Sequence, residues 1–270
     1  MTALTVATSA AHRYIGPART IRHGLTLAGR SIAKIRKNPE VLLDVTLQPI
    51  LFLVLFVFLF GGAVSGDWHV YLQTLVPGIL AQGTLMASVG TGIALGTDIT
   101  KGVFDRFRSL PIARSAPLIG AVIGDSVRFL TATAVTLVFA VIIGFRIHTS
   151  PLALLLAIVI MLLAGLALCW VGVFVSMLVR SPQSAQGVLV AFLLPLSFGS
   201  NVFVPARTLP GFLHTWATIS PVSQIADVSR GLLLGGPVAG PLLASIAWLA
   251  GIVAVFFPLA MVFYRRRMAA

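Results

Sequence analysis

The chain alternates long apolar runs with short polar segments, and the runs have the length of membrane spans. A helix needs about 20 apolar residues to cross roughly 30 Å of hydrocarbon. Six runs meet this requirement, so we predict an all-α polytopic membrane protein with six transmembrane helices. The predicted spans lie near residues 43–63, 72–96, 117–144, 152–179, 186–205 and 238–263.

The first 40 residues are polar and basic, and residues 21–37 repeat with a helical period. Lysines and arginines lie opposite an apolar stripe, which is typical of a helix lying in the membrane interface. We therefore predict a cytoplasmic N-terminus, residues 1–40, with an interfacial amphipathic helix. A cytoplasmic helix packed on a partner is the alternative. The stripe consists of Ile21, Leu25, Ala28, Ile32 and Ile35.

Residues 97–117 form a charged segment between two apolar runs. Its apolar and charged positions separate onto opposite faces of a helix that Pro111 would end. Two interpretations are equally supported by this pattern: a short amphipathic helix with its own function, or a solvated loop whose positive charge fixes the topology.

Composition supports membrane insertion and a single orientation. Hydrophobic residues make up 58% of the chain and charged residues 10%, far from the values of soluble domains. With the N-terminus inside, 15 of the 19 lysines and arginines fall on the cytoplasmic side, and Arg146, Arg207 and Arg230 fall outside. This bias predicts that both termini are cytoplasmic. It also assigns the basic excess to loops at an anionic membrane surface rather than to nucleic-acid binding.

The segment 206–237 carries two apolar helical stripes that are interrupted at Pro221. We predict an outer helical hairpin that dips into the outer leaflet before the last span. Such a hairpin is tolerated only where protein or water satisfies its backbone. A plain extracellular loop with two surface helices is the alternative.

Polar residues inside the predicted spans are the candidate functional side chains. The second span is rich in glycine and hydroxyl residues, which suits close helix packing, and its hydroxyls and Gln82 are also candidates to line a pathway. In the third span, Asp125 and Arg128 are three residues apart and form a predicted intramembrane pair. The pair is either functional or a mutual neutralisation that allows both side chains to be buried.

Motifs for catalysis are absent from the sequence. It has no phosphate-binding loop of the form G-x-x-x-x-G-K-[ST] and no H-E-x-x-H metal motif, and it has a single cysteine, Cys169. We therefore predict no catalytic residue, no metal site and no nucleotide site in this chain, and no enzyme activity of its own.

Two sets of motifs resemble ABC type-2 transporter permeases, especially those of the daunorubicin and doxorubicin resistance kind. The first is KGVFDRFRSLPIA at residues 101–113, which is similar to the cytoplasmic-loop motif of these permeases. The second set lies in the outer segment and comprises Phe203-Val204-Pro205, Leu209-Pro210, Pro221-Val222-Ser223 and Arg230-Gly231-Leu232-Leu233.

The resemblance implies a multi-pass subunit of the bacterial plasma (inner) membrane that exports an amphiphilic drug or lipid and so confers antibiotic resistance. It also implies a dimer with an identical or paralogous permease, and two copies of a cytoplasmic ABC ATPase. That ATPase would bind ATP and Mg²⁺, so this chain would bind no cofactor. The remaining implied partners are membrane lipids and the hydrophobic or amphiphilic substrate. A self-contained carrier or channel that uses Asp125 for ion coupling is the alternative.

The resemblance also assigns roles to residues. Residues 98–110 would form a coupling helix that enters a groove on the ATPase, the outer hairpin would cap the exit, and spans two and five would line the pathway. The coupling residues would be Asp98, Lys101, Val103, Phe104, Asp105, Arg106, Phe107, Arg108 and Leu110. The pathway candidates are Gln82, Thr84, Ser88, Thr91, Ser197 and Asn201.

Overall fold

The computed structural model describes residues 29, 39–101, 116–179 and 181–269. All regular secondary structure in these ranges is helical. The helices are α1 (Pro39–Ser65), α2 (Trp68–Thr100), α3 (Ala116–Gly124), α4 (Ser126–Ile142), α5 (Pro151–Leu178), α6 (Pro182–Phe198), α7 (Gly211–Ile219), α8 (Pro221–Leu234) and α9 (Ala239–Ala269), with a 3-10 turn at Ala206–Thr208.

Two groups of predicted residues lie outside the described ranges. They are the apolar stripe of the interfacial helix, with Ile21, Leu25, Ile32 and Ile35, and most of the coupling segment, with Val103, Phe104, Asp105, Arg106, Phe107, Arg108 and Leu110.

Five helical stretches are long and apolar enough to cross a membrane, so the all-helical membrane fold is confirmed. They are Val45–Ser65, Trp68–Asp98, Leu118–Ile142, Pro151–Leu178 and Ala239–Tyr264. Large apolar side chains lie exposed on the outside of the bundle, as on α1 with Leu43, Leu47, Leu51 and Leu59. A surface of this kind suits contact with lipid tails or with other membrane helices.

The predicted span near 186–205 differs from the helix that the structure contains. Helix α6 begins at Pro182 and ends at Phe198, so it has 17 residues and a length of roughly 26 Å. It begins early because the Ser181 side chain accepts a hydrogen bond from the Ser184 backbone N–H (3.1 Å), directly before a proline at the first helical position. After Phe198 the chain is not regular helix until residue 206.

Helix α2 lies at the centre of the bundle. The most apolar stretch of this helix is 78% buried inside the protein, whereas the corresponding stretches of the other four spans are 17–44% buried. The helix is longer than the predicted 72–96 at both ends. At its start Asp67 Oδ1 accepts a hydrogen bond from the backbone N–H of His69 (2.8 Å), and this bond holds the pKa of the Asp67 carboxyl below its usual value. Asp67 therefore caps the helix.

Helices α3 and α4 form one span, Leu118–Ile142, with Asp125 between them. Asp125 keeps right-handed helical backbone angles. Its N–H donates to the Ala121 carbonyl and the Phe129 N–H donates to the Asp125 carbonyl, both at 3.1 Å. The hydrogen-bond ladder therefore continues through this residue.

Two helices occupy the segment for which the hairpin is predicted, and they meet at Ser220 before Pro221. They differ in burial. On α8 nine side chains are buried, whereas on α7 only Ala217 is, and Phe212 is 77% exposed. The Trp248 indole N–H of α9 donates to the carbonyl of Ile219, the last residue of α7 (2.8 Å). Helix α8 is thus part of the protein core, and α7 lies at its edge.

Candidate functional site

The six pathway candidates are all buried inside the bundle, at 0–8% exposure. Two of them are satisfied within their own helix. The Thr84 hydroxyl donates to the Leu80 carbonyl (2.9 Å), and the Ser88 hydroxyl donates to the Leu85 carbonyl (2.6 Å). These two hydroxyls therefore need no partner from another helix.

Thr84, Ser88 and Thr91 share one face of α2, since they fall within about 60° at 100° per residue. That face contacts α5. A methyl group added to Gly92 would lie 2.7 Å from the Gly172 carbonyl oxygen, so the two backbones touch. The Ser176 hydroxyl donates to the Gly92 carbonyl (2.8 Å). This face of α2 is a close helix-packing surface, which favours the packing interpretation of its small residues.

Gln82 lies on a different face of α2. It is one turn from Gly78, which lies so close to Val202 that an added methyl group would meet the Val202 carbonyl oxygen at 2.7 Å. Gln82 Nε2 is buried and has no hydrogen-bond partner within the described ranges, and the same is true of Ser197 Oγ and Asn201 Oδ1. A buried polar atom without a partner carries a desolvation cost of about 1–3 kcal/mol. These three atoms are therefore the unsatisfied hydrogen-bonding atoms among the six pathway candidates.

The structure brings together the predicted pair Asp125 and Arg128. The Arg128 Nη1 atom lies 3.6 Å from Asp125 Oδ2, and the two side chains are 5% and 11% exposed, respectively. This distance is longer than a hydrogen bond. Arg128 Nε has no hydrogen-bond partner in the part of the chain that the structure describes. The charges neutralise each other, yet the guanidinium group is incompletely bonded.

The inner pair is joined to two other helices. The Thr91 hydroxyl of α2 donates a hydrogen bond to Asp125 Oδ2. The Thr91 oxygen also lies 3.1 Å from Cys169 Sγ on α5. Because the hydroxyl has one proton and donates it to Asp125, the thiol is the donor in this second bond. A polar chain therefore runs from Cys169 through Thr91 to Asp125, and we call these three residues with Arg128 the inner cluster.

Gly90 makes room for the inner cluster. A methyl group at this position would lie 2.8 Å from the Arg128 guanidinium carbon and even nearer to its terminal nitrogens. The guanidinium group thus lies directly against the α2 backbone, where a residue with a side chain leaves no space.

A second charged cluster, which the sequence analysis misses, lies between α8, α2 and the segment 199–205. Arg230 Nη1 donates to Asp227 Oδ1 (2.7 Å), and its other nitrogens donate to the carbonyls of Asn201 (2.7 Å) and Thr74 (3.2 Å). The Asn201 side-chain amide donates to both oxygens of Asp227 at 2.9 Å. We call Asn201, Asp227 and Arg230 the outer cluster.

Arg230 differs from its prediction. The sequence predicts a positive charge of an outer loop, but the Arg230 side chain is only 18% exposed and binds three segments of the chain. The sequence does contain a signal for it: Asp227 and Arg230 are three apart, the same spacing as Asp125 and Arg128. Tyr71 reinforces the contact, since its hydroxyl donates to the Phe203 carbonyl (2.7 Å).

Two of the predicted coupling residues are described. Helix α2 continues through Asp98 to Thr100, and the Lys101 N–H donates to the Thr97 carbonyl (3.0 Å). A separate helix therefore does not begin at Asp98, which instead lies in the last turn of the span. Asp98 is half-buried and Lys101 is exposed. Their role in coupling stays a prediction.

Comparison with known proteins decides the family. The model of the ABC-2 type transporter family matches residues 23–234, which is most of the chain. This chain belongs to the ABC-2 type transporter family. It is 36% identical over 255 residues to the daunorubicin resistance ABC transporter permease protein DrrB1 of Streptomyces coeruleorubidus, covering 94% of this chain and 90% of the relative.

A second relative is less similar in sequence, and its name also describes a drug-resistance ABC transporter permease. The doxorubicin resistance ABC transporter permease protein DrrB of Mycobacterium tuberculosis is 28% identical over 232 residues, covering 81% of this chain and 80% of the relative. The resemblance to drug-resistance permeases is thereby confirmed. This ABC-2 protein is a multi-pass permease of the bacterial inner membrane.

Proposed function

We propose that the chain is the transmembrane permease subunit of an ATP-driven exporter that moves an amphiphilic drug or lipid out of the cytoplasm or the inner leaflet. The family match carries this proposal. It runs from residue 23 to residue 234 and so includes both the charged segment 97–117 and the outer helices α7 and α8. The relatives named for daunorubicin and doxorubicin resistance are aligned over at least four-fifths of this chain.

The energy comes from a separate subunit. The sequence has no phosphate-binding loop, and its three lysines, Lys34, Lys37 and Lys101, lie outside any glycine-rich motif. Two copies of an ABC ATPase bind ATP and Mg²⁺ and dock on residues 98–110 of each permease. The second permease subunit is identical or paralogous.

The proposed topology has six spans with both termini in the cytoplasm. Helix α6, with the segment that follows it, is the fifth crossing. At 17 residues it is short for a roughly 30 Å hydrocarbon layer, which the bilayer accommodates by thinning or by anchoring of the flanking residues. The positive-inside bias supports the orientation. Cysteines at Ser65 and Gly211 react with impermeant thiol reagents in intact cells under this topology, and one at Ser115 does not.

The substrate is bound mainly by apolar contacts, since few polar side chains in the described spans have free hydrogen-bonding atoms. Gln82 on α2 and Ser197 on α6 are the candidates to contact a polar group of the substrate, because one polar atom of each is buried without a partner in the described ranges. A drug with an aromatic body and a few hydroxyl or amine groups fits this chemistry.

The test is transport by the chain with and without its ATPase. Inverted membrane vesicles that contain both proteins should accumulate doxorubicin when ATP is added, and vesicles with the permease alone should not. Phe107→Ala should lower ATPase co-purification and transport while insertion is kept, because an apolar anchor at the centre of a contact commonly carries about 2 kcal/mol. Arg114→Gln, beyond Pro111, is the control. Transport by the permease alone in a proton gradient would instead support the self-contained carrier.

A further inference from the structure

Thr91 and Asp125 join the two helices that bound residues 101–115, the central part of the charged segment. Helix α2 ends at Thr100 and helix α3 begins at Ala116, on either side of residues 101–115. Thr91 lies nine residues before the end of α2, and Asp125 lies nine residues after the start of α3. At 1.5 Å per residue each lies roughly 13 Å along its helix from the segment. The bond between Thr91 and Asp125 therefore connects the two helices at equal distances from residues 101–115.

The bond is buried and charge-assisted. Thr91 is 1% exposed and Asp125 is 8% exposed, and Asp125 Oδ2 accepts the Thr91 hydroxyl proton. Hydrogen bonds to a charged partner in a low-dielectric interior are stronger than those at a surface. Losing the Thr91 hydroxyl therefore leaves the Asp125 carboxylate with one hydrogen-bond donor fewer.

The joined pair is also attached to α5. The Cys169 thiol donates to Thr91, and one residue further along α2 the backbones of Gly92 and Gly172 touch. Both helices that emerge from the charged segment are thereby fixed to each other and to a third span at one level.

We infer that Thr91 and Asp125 are positioning residues for coupled transport: their bond makes α2 and α3–α4 move together when the segment 101–115 is displaced. This inference rests on the proposed function, because the displacement comes from the ATPase. Without the bond, the two helices respond separately to the ATPase. ATP hydrolysis then continues while fewer substrate molecules cross per ATP. If Asp125 only neutralises the charge of Arg128, the transport per ATP should not change.

The experiment measures ATP hydrolysis and doxorubicin transport together, on the permease reconstituted with its ATPase in proteoliposomes. Thr91→Val keeps the shape and removes the hydroxyl, Thr91→Ser keeps the hydroxyl, and Thr136→Val makes the same change at a buried threonine of α4 that is 1% exposed. We expect Thr91→Val to lower the transport per ATP by roughly tenfold, within the range typical of a coupling free energy. Thr91→Ser and Thr136→Val should change it less than about fivefold.

Several outcomes overturn the inference. The inference is wrong if Thr91→Val leaves the number of substrate molecules transported per ATP unchanged, or if this variant loses ATP hydrolysis and transport in parallel. It is also wrong if Thr136→Val lowers the transport per ATP as much as Thr91→Val does. If Thr91→Val does not fold, Thr91→Ala replaces it, since it also removes the hydroxyl and occupies less space. A wild-type ratio in Thr91→Ala then contradicts the inference. Failure of the wild-type complex to transport on ATP contradicts the proposed function itself.

Discussion

The inner and outer clusters contain the same pair of residue types at the same spacing, but they are bonded differently. Asp227 and Arg230 are 2.7 Å apart, and Arg230 also donates to two backbone carbonyls outside its own helix. Asp125 and Arg128 are 3.6 Å apart, and Arg128 Nε has no partner in the described residues. The less exposed of the two pairs is thus the less completely hydrogen-bonded.

The difference follows from the backbone that surrounds each pair. The outer cluster lies against residues 199–205, which are not regular helix and whose carbonyls are free to accept from Arg230 and Tyr71. The inner cluster lies among α2, α4 and α5, whose carbonyls each accept one hydrogen bond of the helix ladder. A helical carbonyl can accept a second bond, as that of Thr74 does from Arg230, but the irregular backbone at 199–205 gives Arg230 the Asn201 carbonyl in addition. The inner pair is instead joined to its neighbours through a side chain, the Thr91 hydroxyl.

Removing the acid of the inner pair should have the largest effect. Asp125→Ala leaves Arg128 buried without its counter-charge, and breaking a buried pair in this way costs about 3–5 kcal/mol. We expect little folded protein in the membrane, measured by thermal unfolding of the purified protein and by the amount inserted.

The control for this prediction is a double variant. Replacing both partners with apolar residues, Asp125→Leu with Arg128→Met, should recover most of the folded protein, because it removes the uncompensated charge. A double variant as unstable as Asp125→Ala would indicate that shape, and not charge, is decisive in the inner cluster.

Disrupting the outer pair should have the second-largest effect. Arg230→Ala removes donors to Asp227, Asn201 and Thr74, and hydrogen bonds to charged groups are worth about 1.5–3 kcal/mol each before allowance for exposure. Since Asp227 is 36% exposed and water can reach it, we expect the free energy of unfolding to fall by about 2–3 kcal/mol, as measured by thermal unfolding. Arg207→Ala, at an exposed arginine of the same outer segment, should be neutral. Comparable losses in the two variants would contradict the outer cluster as described.

The sequence predicts the parts of this fold that depend on local pattern. Apolar length identifies the spans. The Ser–Pro pairs at 150–151 and 181–182 are helix start signals, but the predicted bounds do not use them, and the fifth span is placed four residues late. The i, i+3 spacing identifies the inner pair. The extension of α2 to Thr100 is not predicted, because residues 97–100 are assigned from the sequence to the separate charged segment 97–117.

The partners of each cluster could not be predicted. The Arg230 guanidinium binds the Thr74 carbonyl 156 positions away, and Thr91 meets Cys169 78 positions away. Neither contact has a local signature, since both result from how α2 packs at the centre of the bundle. Asn201 is a predicted pathway residue because it is a polar residue of the predicted fifth span, which the family resemblance places along the pathway. In the structure its amide is bonded to Asp227.

A third variant tests the space around the inner cluster. In Gly90→Ala the new methyl group overlaps the Arg128 guanidinium, and overpacking of this kind costs about 1–3 kcal/mol. We expect the lower part of that range, because the tip of an arginine can shift. Gly83→Ala on the same helix is the matched control, since its nearest neighbour is Pro49 Cβ at an ordinary 3.4 Å. Thermal unfolding of both variants should show a loss for position 90 alone, and an equal tolerance would contradict the close contact.

The smallest effect is expected for an exposed carboxylate, Asp67, which serves as the reference for the carboxylates of the two clusters. Asp67 Oδ1 and His69 Nδ1 lie 3.1 Å apart at the start of α2, and the two side chains are 54% and 60% exposed, respectively. The His69 backbone N–H, which donates to the carboxylate, lowers the pKa of Asp67.

A lowered pKa means that the carboxylate stabilises the start of α2 above the ordinary pKa of an aspartate, and that this contribution is lost as the pH falls through the folded-state value. Hydrogen exchange of the His69 amide should accordingly lose protection, relative to its intrinsic rate, only at a pH below the ordinary pKa of an aspartate. Asp67→Asn keeps an oxygen that can cap the helix and should abolish this pH dependence without exposing the amide, whereas Asp67→Ala should expose it at every pH. If the Asp67→Asn variant retained the pH dependence, a group other than Asp67 would be the one that titrates. Asp67 could then not serve as the exposed reference for the inner and outer clusters.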